Sequence, residues 1–166
     1  EEHGWYFDED AARELTSTLS RQLEDTSKLL RDRHPYVFGS EFTPKRNNKT
    51  QGYVEGCAFT KLKEFSPSSR DHISWILTTF YKWTPTQLTA TGKAIIDEPT
   101  LSKIDNDFAR GCLTILDLTK KLGMLAEGQN AWLKLVTKSS RIHHHCSVAT
   151  STHRAAHRNP NLAQVP

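Results

Sequence analysis

The chain has 166 residues, 36% of them hydrophobic and 25% charged, which is enough for one modest core. No apolar run approaches the roughly eighteen residues of a membrane span, and no apolar secretory segment opens the chain. A net charge of +3 is compatible with a nucleic-acid partner, while three widely spaced cysteines without a CxxC pair argue against a disulfide framework. The single methionine, Met124, is internal, so the chain is expected to be part of a longer or processed protein.

Asp8 is the expected N-cap of a first helix, with Glu9 and Asp10 placing negative charge on its first turn. Ala11, Ala12, Leu15, Leu19, Leu23, Thr26 and Leu30 recur at three and four, which predicts one apolar face, and His34-Pro35 ends the helix. From Tyr36 to Lys63 no period survives. Gly39, Pro44, Asn47, Asn48, Gly52 and Gly56 are turn formers, and Lys45, Arg46 and Lys49 cluster charge, so a solvated basic loop is predicted. Thr43-Pro44-Lys45-Arg46 would then touch phosphates from a flexible loop.

Ser66 before Pro67 reads as the N-cap and first position of a second helix, with Ile73, Ile76, Leu77 and Phe80 on its apolar face. Free N–H groups and serine hydroxyls at such a start make an anion site. Trp83 to Asp97 reads as a turn-rich connector. Asp97 then caps a helix entered through Glu98 and Pro99. A longer helix carries Phe108, Cys112, Ile115, Leu116 and Leu122, and closes on Thr119-Lys120-Lys121-Leu122-Gly123. Lysines in a last turn offset the helix dipole.

Trp132, Leu133 and Val136 stand at helical spacing and fit a core better than a stacking platform. His143, His144, His145 and Cys146 have metal-binding side chains, but consecutive residues rarely converge on one ion, and no metal site is expected. The last stretch, from Ser151 to Pro166, is basic. Its Asn161 and Gln164 donate and accept hydrogen bonds at once, as the edges of base pairs require.

The order Thr152-His153-Arg154, then Pro160-Asn161-Leu162-Ala163-Gln164-Val165-Pro166, resembles the start of the palm in family A DNA polymerases. It looks most like the replicative polymerases of short-tailed bacteriophages. Further matches follow in the family's order at Gly4 to Asp8, Phe65 to Asp71, Thr119 to Gly128 and Ile142-His143. The resemblance implies a mainly α (α+β) fold: a helical thumb with the first strand and loops of the palm. Residues 1–35 would be the first thumb helix, after an exonuclease boundary, and 65–139 the thumb helices. Residues 140–166 would begin the palm. Residues 36–64 would be a short basic loop where such polymerases can carry a thioredoxin-binding insertion, and its shortness argues against a thioredoxin partner.

The implied DNA-binding residues are Ser66, Ser69 and Arg70 at the backbone, Lys120 and Lys121 on phosphates, and Arg154, Asn161 and Gln164 in the minor groove. His153 stands where the family has glycine, and the usual upstream Asn and Gly are missing, which leaves the aim of Arg154 open. In the family, Mg2+ and dNTP are held by aspartates and a fingers helix beyond this stretch. No catalytic residue, metal or cofactor is therefore assigned here, and Asp97, Asp105, Asp107 and Asp117 belong to thumb-like sequence. The parent would synthesise DNA on a template in the cytoplasm of a phage-infected bacterium, with this chain holding primer-template DNA and inactive alone. The alternative is a free-standing, non-catalytic DNA-binding module derived from a polymerase.

Overall fold

The computed structural model describes residues 3–147 and 155–161. Helix α1, Glu9–Arg33, starts where Asp8 Oδ1 accepts the Ala11 N–H at 3.0 Å. Acid in its first turn and Arg31 and Arg33 in its last oppose the helix dipole at both ends. Its covered stripe is Ala12, Thr16, Leu19, Leu23, Ser27 and Leu30, whereas Ala11 and Leu15 are exposed. The stripe thus lies one residue off the predicted face at its start, and small polar residues help to fill it.

Residues 36–64 are not the loop predicted. Strands β2, Tyr36–Phe42, and β3, Phe59–Glu64, pair antiparallel from Tyr36↔Glu64 to Phe42↔Phe59. The register shifts between Phe38 and Glu41. At Gly39 an added Cβ would lie 3.0 Å from the Lys61 carbonyl oxygen, so the close approach suits glycine. Only Val37 of the two strands is buried; Tyr36, Phe38 and Leu62 face outward. With one side chain inside, the pair leaves no alternating pattern to read.

Helix α2, Arg70–Tyr81, buries Ile73, Ile76 and Leu77 as expected, but leaves Phe80 exposed. Its cap is Ser69 rather than Ser66. Ser69 Oγ accepts the His72 N–H at 3.4 Å, and the Ser69 N–H closes a turn on the Ser66 carbonyl at 3.1 Å. Pro67 therefore occupies the second position of a β-turn, which its fixed φ suits as well as it suits a helix start. Asp97 caps the short α3, Glu98–Leu101, and Asn106 Oδ1 accepts the Ala109 N–H at 2.6 Å at the start of α4, Asp107–Leu122.

The chain divides into two units, Thr26–Ile115 and Glu1–Asp25 with Leu116–Pro166. The first is centred on Phe108. Its ring meets those of His34, Phe65 and Tyr81 at centroid distances of 5.2, 5.8 and 5.6 Å. In the second, α4 runs straight into a π-helical turn, Gly123–Glu127, so Gly123 does not end the helix. Leu118, Leu122, Leu125, Ala131 and Ile142 are buried there. Helix α5, Trp132–Leu135, is only half-buried, with Trp132 edge-on to Phe7 at 6.2 Å. Strand β1, Trp5–Tyr6, pairs with β4, Arg141–Ile142, and β5, His145–Ser147, pairs with β6, Ala156–Arg158. Gly4 takes φ +60° beside the Ile142 carbonyl, which explains a glycine at that point in physical terms.

Candidate nucleic-acid interface

Ser66, Ser69 and Arg70 lie together where the hairpin hands over to α2. The Ser66 N–H donates to His72 Nδ1 at 3.1 Å, and the Ser66 hydroxyl lies 3.0 Å from that of Ser68. Because the Ser69 hydroxyl is used as the cap, the outward hydroxyl of this turn is that of Ser68, which sequence reasoning missed. The only signal was the density of serines around Pro67, and turn geometry alone separates them.

Arg70 is exposed, opens α2, and makes no ion pair among the described residues. A cation at a helix N-terminus is repelled by the positive end of the dipole, so the site gains most from an anion placed between guanidinium and N–H groups. The neighbouring Asp71 instead holds Lys93 at 2.5 Å. A shallow cavity of about 510 Å³ beside Ser66 is lined by Arg31 together with Asp32 and Glu64, so it does not concentrate positive charge.

His72 couples this turn to pH. Burial, then Lys63, lowers its pKa below 6.5, with Asp71 acting weakly the other way. Burial, then Arg33, lowers that of His34 as well. In both cases the unfolded chain takes up the proton first, so stability is complete above about pH 7 and falls as pH drops through 6.5 toward the depressed values. Protonation of His72 also removes the acceptor that holds Ser66. We expect the melting temperature to fall between pH 7 and 5, and by less in His72→Asn, whose Oδ1 can still accept the Ser66 N–H. Parallel pH profiles for the two proteins would remove His72 from this account.

Lys120 and Lys121 lie on the second unit, before the π turn. Lys121 Nζ is paired with Asp117 at 2.8 Å, while Lys120 is exposed and makes no ion pair among the described residues. With the helix continuing to Glu127, these lysines are not in its last turn, and a dipole offset does not account for them. Asn161, in the same unit, is exposed. Arg154 and Gln164 lie outside the described residues.

The four aspartates set aside above already have local work. Asp97 caps α3, Asp105 and Asp107 both bind Arg110 at 2.7 Å, and Asp117 holds Lys121. Hydrogen bonds from Thr100 and from Arg110 hold the carboxyls of Asp97 and Asp107 below their usual range. Such a set does not fit a pair of magnesium ions, and no step through a metal follows from it. Among the described residues no group of three or more His, Cys, Asp or Glu converges as metal ligands. Cys57 and Cys112 are free thiols, and burial pushes Cys112 up to about 12, which makes it inert. No helix among the described residues is long and apolar enough to cross a membrane.

No family model matches the chain. It is, however, 34% identical over 126 residues to the DNA-directed DNA polymerases of Enterobacteria phage T3 and Escherichia phage T7, matches that cover 70% of the chain. The fold is similar to the POL domain of Pol1 from M. smegmatis, solved with DNA primer-template and dNTP, with a TM-score of 0.64 over 99% of this chain at 18% identity. The chain belongs to the family A DNA polymerases. It spans only 18% of the length of the two phage relatives and 24% of the Pol1 chain. Within family A, the mainly helical build with three two-stranded sheets among the described residues is that of a polymerase portion.

Proposed function

We propose that the chain is the thumb and first palm portion of a phage replicative DNA-directed DNA polymerase, acting in the cytoplasm of the infected bacterium. Its own task is to hold primer-template DNA. The identity to two phage DNA polymerases carries this reading, and Arg70 and Lys120, which make no ion pair among the described residues, agree with it. Ser66, Ser69 and Arg70 would meet the backbone where the helix start favours an anion. Lys120 and Lys121 would neutralise phosphates, and Arg154, Asn161 and Gln164 would lie in the minor groove. Acceptors there look alike for every Watson–Crick pair, so contact checks pair shape and not sequence. In the whole enzyme, the dNTP and the magnesium ions that activate the primer hydroxyl would be held by residues other than those described here.

The test is duplex binding by the protein over a salt series. Affinity should be indifferent to sequence and fall steeply with salt. Lys120→Ala should make the slope of log K against log salt shallower by about 0.9, the value of one phosphate contact on B-DNA. Lys121→Ala should cost less, because that lysine must first leave Asp117. Asp117→Asn should raise affinity, by up to about fivefold if the exposed pair is worth ~1 kcal/mol. Binding that is salt-independent or sequence-selective would overturn the proposal.

A further inference from the structure

His72 holds the turn before α2 from two directions. It is the third residue of the helix after the Ser69 cap, and its N–H is the one that Ser69 Oγ accepts, at 3.4 Å. In a reciprocal cap the side chain at this position reaches back to the N–H of the capping residue. Here that N–H already goes to the Ser66 carbonyl at 3.1 Å. The imidazole reaches past it, and its Nδ1 accepts the Ser66 N–H at 3.1 Å. The box thus encloses Ser66 to Ser69 and fastens the end of the hairpin to the first turn of the helix.

Because Nδ1 accepts, the ring is neutral and carries its proton on Nε2. The buried Phe65 lies against the same ring at a centroid distance of 6.5 Å. The charged groups that bear on the imidazole are Lys63 from β3 and Asp71 from α2, and Asp71 is turned to Lys93. A proton on Nδ1 would set donor against donor and open the box.

What the box holds in place is Arg70. Of the first-turn N–H groups beyond reach of a helix carbonyl, Ser69 takes that of His72, and those of Arg70 and Asp71 remain for an anion. The exposed Arg70 guanidinium must stay beside them against the repulsion of the dipole's positive end. A first turn free to fray would let it swing away. We infer that His72 is a positioning residue for the proposed duplex contact: through Ser66 it fixes the turn from which Arg70 meets a phosphate. This rests on the DNA-holding reading given above.

The experiment is a mutant cycle read in the salt dependence of binding to a primer-template duplex. Arg70→Ala is made in three backgrounds: the unaltered protein, His72→Asn, whose Oδ1 replaces Nδ1 and does not titrate, and His72→Leu, which has no acceptor. At pH 7.5, Arg70→Ala should make the slope of log K against log salt shallower by about 0.9 in the first two. In His72→Leu this Arg70 step should be less than about half as large. Between pH 7.5 and 5 the step should shrink in the unaltered protein and hold in His72→Asn. A role in stability alone would lower the melting temperature of His72→Leu and leave the Arg70 step at full size. A new charge on His72 would change the total slope but not the Arg70 step. A step of equal size in all three backgrounds and at both pH values overturns the inference and leaves the DNA-holding reading standing. Should His72→Leu not fold, the pH series decides, and a constant step in the unaltered protein overturns the inference. If Arg70→Ala leaves the unaltered slope unchanged, Arg70 is no phosphate contact and the role of His72 falls with it. Absence of any salt-dependent duplex binding removes the DNA-holding reading itself.

Discussion

Phe108→Ala is expected to destabilise the Thr26–Ile115 unit by about 3–5 kcal/mol, the usual cost of emptying a buried phenylalanine site. Phe108 is fully buried and is the ring around which the others are arranged: stacked with Tyr81 at an interplanar angle of 18° and edge-on to His34 at 85°. His34 Nε2 lies 3.2 Å from the Tyr81 hydroxyl, so this polar pair is also roofed by the ring. Little can collapse into the void, because Phe65 and Tyr81 belong to separate segments and each has a second partner. Urea unfolding followed by near-UV circular dichroism would measure the loss. The substitution should also admit water to His34, whose pKa is lowered mainly by burial, and an NMR titration should show it rising toward 6.5. A cost below about 1 kcal/mol would mean that the unit is not organised around this ring.

The same ring connects stability to the proposed interface. Phe65, one residue before Ser66, is buried against Phe108, and its N–H donates to the Pro35 carbonyl at 2.9 Å. That anchor fixes both the root of the hairpin and the start of the serine turn. Loss of Phe108 should therefore loosen the hairpin and the Ser66 site together.

The helices were legible because their buried residues recur with helical spacing. Ile73, Ile76 and Leu77, or Phe108, Cys112, Ile115 and Leu122, need no tertiary knowledge to find. Asp97 could be read as a cap because the Glu98-Pro99 that follows suits only a first turn. The hairpin could not be read this way. Phe38 pairs with Leu62 and both stay exposed, so the strands are set by backbone pairing and by the contacts of Phe42 with Tyr53 and Phe59 at the tip, not by a buried face. Ser66 and Ser69 have the same capping chemistry, and the choice between them depends on the His72 ring, which takes the Ser66 N–H. The candidate contacts were legible as residue types, and Asp117 four positions before Lys121 marks which lysine is paired, whereas the use of the Ser69 hydroxyl as a cap needed the turn geometry.

Gly128 and Gly123, at the two ends of the π turn, should respond to alanine with opposite signs. The Gly128 N–H donates to the Gly123 carbonyl at 2.8 Å, closing the turn. A Cβ on Gly128 would be driven into that same carbonyl oxygen, a backbone atom that cannot swing aside as a flexible side chain could. Gly128→Ala must therefore open the turn, at a cost of about 1–3 kcal/mol. At Gly123 a Cβ meets nothing within 4 Å, and replacing a glycine in helical backbone removes an entropic penalty, a gain of about 0.5–1 kcal/mol. Chemical denaturation of the two variants decides the matter. The turn follows directly on Lys120 and Lys121, and the Lys134 Nζ ties it down at the Glu127 carbonyl, 2.8 Å away. Gly128→Ala should consequently weaken duplex binding as well, whereas Gly123→Ala should leave it intact. If both alanines destabilised alike, the five-residue spacing of these glycines would not be what the π turn requires.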